Sequence, residues 1–195
     1  QREERKSLHK IGGYIGYLIP FDGYSYRDQD GNLTDPGSIL QLGISNYWEY
    51  KNNSALFFDM SMNATRPIGF GLDLSYNRFI NKKDISPFYG GGIGWQLLFE
   101  DETQEEMDRT RHGLSLSAHM GAMFFRTYDV NIALRLKYHI LFSTLDSGFD
   151  NGISLNVSLI RKMTPNKTLI GGSGYRTVEY RYPLLEILFD ILLGD

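Results

Sequence analysis

Residues 129–142 (DVNIALRLKYHILF) alternate between apolar and polar side chains, and this pattern constrains the fold more than any other feature of the chain. A period of two residues indicates a β-strand, and about 9–11 residues are enough for a tilted strand to cross a bilayer. The polar positions include Arg135, Lys137 and His139. The alternate positions are apolar throughout: Val130, Ile132, Leu134, Leu136, Tyr138, Ile140 and Phe142. The segment therefore predicts a strand with one lipid-facing side and one polar side.

Seven further segments repeat this alternation, which makes eight predicted strands. They are residues 10–21, 38–50, 54–64, 68–80, 87–99, 112–125 and 153–160. The connections after the first, fifth and seventh strands are long, whereas those after the second, third, fourth and sixth are short. Long extracellular loops at one end and tight periplasmic turns at the other are typical of transmembrane barrels, with the short third connection as the exception here. The sequence thus predicts an all-β, eight-stranded antiparallel up-and-down transmembrane β-barrel.

Alternation alone does not distinguish a membrane barrel from a soluble, ligand-binding one, because inverting the two faces preserves the period. The apolar faces carry many large side chains, including both tryptophans. The interior of an eight-stranded barrel is only just wide enough for side chains to fill it, so these residues cannot all lie inside. The polar faces are rich in Gly, Ser and Asn, which suit a narrow lumen. We therefore favour the membrane barrel over the soluble alternative.

Composition limits the partners and cofactors that we expect. The chain has no cysteine, which excludes disulfides and cysteine-ligated metal sites, and no cofactor is predicted. A formal net charge of −3 argues against nucleic acid as the main partner. Lipid of the outer membrane is the expected surrounding. The predicted organisation is a periplasmic lead-in over residues 1–9, the barrel over residues 10–163 and a short periplasmic tail over residues 164–195.

Residues 87–94 (PFYGGGIG) combine a proline, two aromatics and a run of glycines. This segment resembles the proline-aromatic-glycine strand of small outer-membrane barrels of the OmpA and OmpX type, and the wider resemblance extends over residues 10–163. It implies an eight-stranded barrel in the outer membrane. The chain departs from that family at its last strand, which continues into Arg161, Lys162 and Met163 and then a tail instead of finishing on an aromatic residue. That tail is too short for a peptidoglycan-binding domain.

Six ionisable residues are predicted to point into the lumen and to form a charge network: Asp59, Asp73, His119, Arg135, Lys137 and His139. A closed lumen removes charges from bulk water, so opposite charges should pair across it. We expect a structural ion-pair core, with a gated ion path as the alternative. Removal of one partner should leave a buried charge without compensation.

Two other groups of residues are candidates for chemistry. Oxygen ligands alternate at Asp28, Asp30 and Asn32, and Asp35 follows. The spacing is not that of an EF-hand, so an Asp-Gly turn is expected and calcium binding over residues 28–35 stays open. His112, Ser115 and Ser117 have the residue types of a lipid hydrolase, although nothing in their spacing specifies a triad. No catalytic function is predicted.

The tail contains a flexible Gly-rich stretch, a possible strand over residues 175–181 and then an apolar segment between Pro183 and Gly194. Pro at the start and Gly at the end are typical of a helix. Glu186 and Asp190 give this predicted helix only a narrow polar stripe, so we expect it to bind an apolar groove of another envelope protein through residues 175–195. Packing under the barrel's own periplasmic mouth and contact with the inner leaflet of the outer membrane are the alternatives. The predicted contact residues are Tyr180, Leu184, Leu185, Ile187, Leu188, Phe189, Ile191 and Leu192.

These features together predict a non-enzymatic anchor or subunit of an envelope complex in the outer membrane, with both termini in the periplasm. A surface receptor or adhesin that acts through the long acidic loops is the second hypothesis. A lipid-active barrel enzyme is the third.

Overall fold

The computed structural model describes residues 7–28, 30–50, 53–99, 110–143 and 149–163. These residues form ten strands and no helix long and apolar enough to cross a membrane. The strands are β1 (Ser7–Asp22), β2 (Tyr26–Arg27), β3 (Leu33–Thr34), β4 (Ile39–Tyr50), β5 (Ser54–Asn63), β6 (Ile68–Phe79), β7 (Ser86–Phe99), β8 (Thr110–Phe124), β9 (Val130–Ser143) and β10 (Phe149–Lys162).

Eight of these strands close into one barrel, in the order β1-β10-β9-β8-β7-β6-β5-β4. Every pair is antiparallel, and β1 closes the barrel by pairing with both β10 and β4. A closed barrel leaves no unpaired strand edge, which is the condition for a sheet to span a bilayer. The prediction of an all-β, closed, eight-stranded antiparallel barrel is therefore confirmed. The predicted helix of the tail lies outside the described residues.

The observed strands differ from the predicted ones mainly at the chain ends of the barrel. β1 starts at Ser7, inside the predicted lead-in, because Ser7 pairs with Tyr50. β10 runs from Phe149 to Lys162 instead of residues 153–160, since its pairing with β9 continues as far as Phe149 and Phe142. The first long connection also contains the short hairpin of β2 and β3, which the sequence pattern did not predict.

The outer surface of the barrel is an apolar belt. Along β6 the side chains alternate between exposed and buried at every position. The exposed set on this and the other strands is aliphatic or aromatic, and includes Ile15, Tyr17, Phe70, Leu72, Leu74, Ile93, Leu116, Met120, Leu136, Leu155 and Leu159. Water-soluble monomers rarely expose apolar patches of more than a few hundred Å². The belt is therefore the lipid-contacting surface of a membrane barrel.

The two ends of the barrel differ. The end that carries the short connections from β4 to β5, β6 to β7 and β8 to β9 is called the turn end. The opposite end is called the loop end. Exposed aromatics on the outer surface lie near both: Tyr50, Tyr76 and Tyr89 towards the turn end, and Phe21, Phe99, Tyr138 and Phe142 towards the loop end. Such girdles mark the two membrane-water interfaces.

The glycines of β7 allow neighbouring backbones to approach closely. A Cβ atom at Gly90 would lie 2.2 Å from the carbonyl oxygen of Tyr76, and one at Gly94 would lie 2.4 Å from the carbonyl oxygen of Leu72. Both positions face the lumen, where a side chain would collide with β6. These glycines therefore serve packing of the barrel wall.

Candidate functional site

The middle of the lumen contains a buried ion pair between β9 and β5. Arg135 Nη1 lies 2.6 Å from Asp59 Oδ2, and both side chains are almost fully buried. Ser45 Oγ, on β4, donates a hydrogen bond to the other oxygen, Asp59 Oδ1. The guanidinium also lies over the Tyr14 ring, 5.7 Å from its centroid. The carboxylate is thus held by partners from two other strands.

A second ion pair lies beside the first. Lys137 Nζ lies 3.0 Å from Asp73 Oδ2, and Ser117 Oγ donates to the same oxygen at 3.2 Å. Asp59 and Asp73 are directly paired across β5 and β6, so two carboxylates would repel each other there without compensation. The two cations of β9 provide that compensation, because each one binds one carboxylate.

Both lumen histidines form hydrogen bonds. His119 Nε2 bonds to Asn77 Oδ1 on β6, and His139 Nε2 bonds to the Tyr24 hydroxyl at 2.5 Å. Among the described contacts neither histidine takes part in an ion pair. Of the six ionisable residues that the sequence singled out, the structure brings four into two ion pairs and places the two histidines in separate hydrogen bonds.

An apolar plug closes the lumen on the turn-end side of the ion pairs. Its centre is Phe57, whose ring packs edge-on against Tyr47 at 4.2 Å and against Phe88 at 5.6 Å between centroids. We call this cluster the turn-end plug; its buried members are Tyr47, Ala55, Phe57, Phe79, Phe88, Met123, Ala133 and Ile160. All of them occupy inward positions close to the turn-end termini of their strands.

A second apolar cluster, the loop-end plug, closes the opposite side and consists of Leu18, Tyr24, Ile39, Leu98 and Leu141. Tyr24 belongs to the connection after β1 and is buried in the lumen, where it contacts His139. Burial raises the pKa of the Tyr24 phenol, with a further contribution from the nearby Asp150 carboxylate. The hydroxyl therefore stays protonated, and it also donates to Gln96 Oε1 at 3.5 Å.

A third buried ion pair joins β8 to β10, and its arginine also binds this connection. Arg111 Nη1, on β8, lies 3.2 Å from Asp150 Oδ1 on β10, and Arg111 Nη2 donates to the carbonyl oxygen of Ser25 at 3.2 Å. Ser25 directly follows Tyr24 in the chain. Tyr24 is thereby held in the mouth of the barrel by its own packing and by its neighbour.

The turn end carries a polar cluster outside its plug, which we call the vestibule. Glu49 accepts from Lys10 Nζ at 3.1 Å and from Arg126 Nη2 at 2.6 Å. Arg126 also donates to the carbonyl oxygen of Asn81 and stacks over the Phe79 ring at 3.8 Å. A single guanidinium thus joins the ends of β4, β6 and β8. The adjoining cavity of about 280 Å³ is lined in part by Glu49, Lys82, Arg126 and Lys162.

The calcium and hydrolase candidates do not assemble into sites. Asp28 Oδ1 accepts hydrogen bonds from the backbone N–H groups of Asp30 and Asn32, which is the Asp-Gly turn expected from the sequence. Among the described residues no cluster of three or more His, Asp or Glu side chains could hold a metal ion. His112 faces outwards beside Trp95, whereas Ser115 is buried on the lumen side. The barrel wall therefore separates His112 from Ser115.

Sequence reasoning missed the vestibule residues Lys10, Glu49 and Arg126, the Arg111–Asp150 pair and Tyr24. The alternation could have identified Arg111 and Asp150, because both stand at inward positions of strands that are longer than predicted. Arg126 and Tyr24 lie in connections, where no period indicates a direction. The predicted tail contacts at residues 180–192 lie outside the described residues.

No protein-family model and no curated protein matches the chain. Solved structures do match in fold. The N-terminal β-barrel domain of Pseudomonas aeruginosa OprF is 9% identical, with a TM-score of 0.56, and the match covers 80% of this chain and 98% of that one. Neisserial surface protein A (NspA) is 11% identical, with a TM-score of 0.56, and the match covers 81% and 97%.

Both matches cover nearly all of the solved barrel, so this chain contains a complete barrel of that kind. The closed eight-stranded topology and the apolar outer belt support the same assignment independently. In architecture, the chain is a small eight-stranded β-barrel of the outer-membrane type, similar in fold to the barrels of OprF and NspA.

Proposed function

We propose that this barrel is a non-conducting, non-enzymatic anchor or subunit of a cell-envelope complex. The observation that carries the proposal is the filled lumen. A polar middle layer, with the Arg135–Asp59 and Lys137–Asp73 pairs, lies between the turn-end plug and the loop-end plug. An eight-stranded barrel has room only for its own side chains, and here large side chains occupy that room at both ends. A barrel without a transport path fits a structural role.

We expect the purified protein to show no steady conductance in a planar bilayer. Ions would have to cross two apolar plugs, in which Phe57 and Leu141 are buried, so we expect no hydrated path through the lumen. Single-channel recording over a range of voltages checks this, with a porin as positive control. Large, stable conductance steps from the wild-type protein would overturn the proposal of a sealed barrel and favour the gated ion path.

The partner contact is assigned to the tail. The chain leaves the barrel wall at Lys162, at the turn end, and Lys162 lines the vestibule. With the long connections outside the cell, the turn end lies in the periplasm, and the first and last residues of the barrel wall, Ser7 and Lys162, lie at that end. Residues 184–193 then present an apolar segment with few charges to an aqueous compartment. Such a segment needs a cover, and a groove on another envelope protein supplies one.

Truncation after Met163 should leave the barrel folded and inserted but remove a co-purifying partner. Leu188→Asp should have the same effect, because it places a charge on the apolar contact surface of the tail. The measurement is affinity purification from native membranes, with the heat-dependent shift of the folded band on an SDS gel as the control for folding. An unchanged set of partners in both variants would refute the tail assignment.

The second hypothesis, a surface receptor or adhesin, is supported by one observation. Tyr24 and the Arg111 contact to Ser25 hold the first long connection in place and present its hairpin, β2 and β3, beyond the loop end. Deletion of residues 26–34 distinguishes the two roles. Loss of cell-surface binding with an intact envelope complex would favour the receptor.

A further inference from the structure

The turn-end part of the β6–β7 hairpin has a surface unlike the rest of the lipid belt. Arg78 faces outwards on β6, and its cross-strand neighbour on β7 is Tyr89. Lys82 and Lys83 follow in the exposed connection between the two strands. We call this surface the β6–β7 patch; its members are Tyr76, Arg78, Ile80, Lys82, Lys83, Ile85 and Tyr89.

The apolar members of the patch lie where a membrane interface is expected. Tyr76 and Tyr89 are 53% and 54% exposed at the end of the apolar belt, which is the usual position of interfacial tyrosines. Ile80 and Ile85 are 66% and 57% exposed although they lie beyond the ends of the strands. Isoleucines in a connection gain nothing from exposure to water, whereas they can enter the acyl boundary of a bilayer.

The cations of the patch differ from the other cations at this end. Lys10 and Arg126 bind Glu49, and Lys162 lies 3.9 Å from Asp129. Among the ion pairs of the described residues, none includes Arg78, Lys82 or Lys83. The one carboxylate of the connection, Asp84, accepts a hydrogen bond from Thr127 Oγ1 in the neighbouring connection. The patch therefore carries three cations at interfacial height beside a carboxylate that is turned to another partner.

We propose that the β6–β7 patch binds the phosphate headgroup of an anionic phospholipid in the leaflet that meets the turn end. Lys82 and Lys83 reach the phosphate from the aqueous side, and Arg78 extends to it from within the belt, as long cationic side chains do at interfaces. Tyr76 and Tyr89 fix the depth of the site, and Ile80 and Ile85 pack against the glycerol and upper acyl chain. The inference rests on the membrane barrel alone and not on the proposed partner of the tail.

The test uses the full chain in detergent, offered phosphatidylglycerol and phosphatidylcholine in equal amounts. Native mass spectrometry measures which lipid stays bound. The wild-type protein should retain phosphatidylglycerol in preference. A cation near an anionic lipid surface contributes about fivefold in affinity. Arg78→Gln should therefore reduce the preference about fivefold, and Lys82→Gln with Lys83→Gln roughly 25-fold.

Arg161→Gln is the matched control, because Arg161 is an exposed, outward cation near the turn end of β10, away from the patch. It should leave the preference unchanged. The heat-dependent band shift on an SDS gel verifies that each variant is folded. The double variant Lys82→Gln with Lys83→Gln is altered only in an exposed connection, so it remains informative if Arg78→Gln does not fold. Excess inorganic phosphate should not displace the lipid, since it lacks the apolar contacts.

Equal retention of the two lipids by the wild-type protein would overturn the proposal. So would an equal loss in Arg161→Gln and Arg78→Gln, because binding would then depend on the charge of the whole rim and not on this patch. Complete displacement by inorganic phosphate would identify a simple anion site in place of a lipid site.

Discussion

Arg135→Ala is expected to lower the free energy of unfolding by about 3–5 kcal/mol, because it leaves Asp59 buried in the lumen without its ion-pair partner. The pair is short, at 2.6 Å, and both side chains are only 3% exposed. Ser45 alone cannot compensate a full negative charge, and Asp73 adds a second carboxylate directly opposite on β6. Denaturant unfolding of the refolded barrel in detergent micelles measures the loss.

Two further variants isolate the cause. Arg27→Ala changes a residue of β2, which is not one of the eight barrel strands, and should change stability by no more than about 0.5 kcal/mol. Asp59→Leu combined with Arg135→Met removes both charges and should recover most of the stability lost in Arg135→Ala. If the double variant is as unstable as the single one, packing volume and not a stranded charge explains the loss.

Phe57→Ala is the second substitution with a large expected effect, about 3–5 kcal/mol, because it leaves a cavity in the middle of the turn-end plug. Phe57 is almost fully buried and contacts the rings of both Tyr47 and Phe88. These two neighbours belong to β4 and β7 of a closed barrel, which limits how far the wall can collapse into the space. The same unfolding experiment measures the change.

Phe57→Leu serves as the conservative comparison, since leucine fills most of the space and should cost clearly less than alanine. Phe70→Ala removes the same side chain from the lipid-facing surface, where Phe70 contacts Phe99 at 6.3 Å between centroids. Lipid can fill the space left there, so no cavity remains. Equal losses for Phe57→Ala and Phe70→Ala would contradict the idea that the plug stabilises the barrel through internal packing.

The eight barrel strands, the two faces of each and the membrane-facing side could be predicted from the sequence alone. Alternation at period two is a local property of the sequence. In the run Leu134, Arg135 and Leu136, it already indicates that Arg135 points to the opposite face of the strand from the two leucines. The narrow interior of an eight-stranded barrel then places the large apolar set outside. The same reasoning identified Asp59, Asp73, Arg135 and Lys137 as inward residues that needed opposite charges.

The level of each inward residue along the barrel axis could not be predicted in this way. The alternation predicts that Asp59 and Arg135 both point inwards. These two residues are 76 positions apart in the chain, and only the stagger of the strands in the closed sheet brings them to the same level along the barrel axis. For the same reason the period places Phe57, Phe79 and Phe88 on the inward faces of three different strands without relating one to another. Their meeting in one plug depends on the alignment of the strand ends in the closed sheet.

The sequence by itself determined the strand content, the inside and outside of the wall and the class of the barrel, because each depends on side chains that are near neighbours in the chain. The tertiary structure alone decided the two plugs, the pairing of each cation with its own carboxylate and the junction of three strand ends at Arg126. These depend on strand register and on where each connection enters the barrel mouth. Arg126 and Tyr24 lie in connections, where no repeating pattern fixes direction, and their partners are 77 and 115 positions away along the chain.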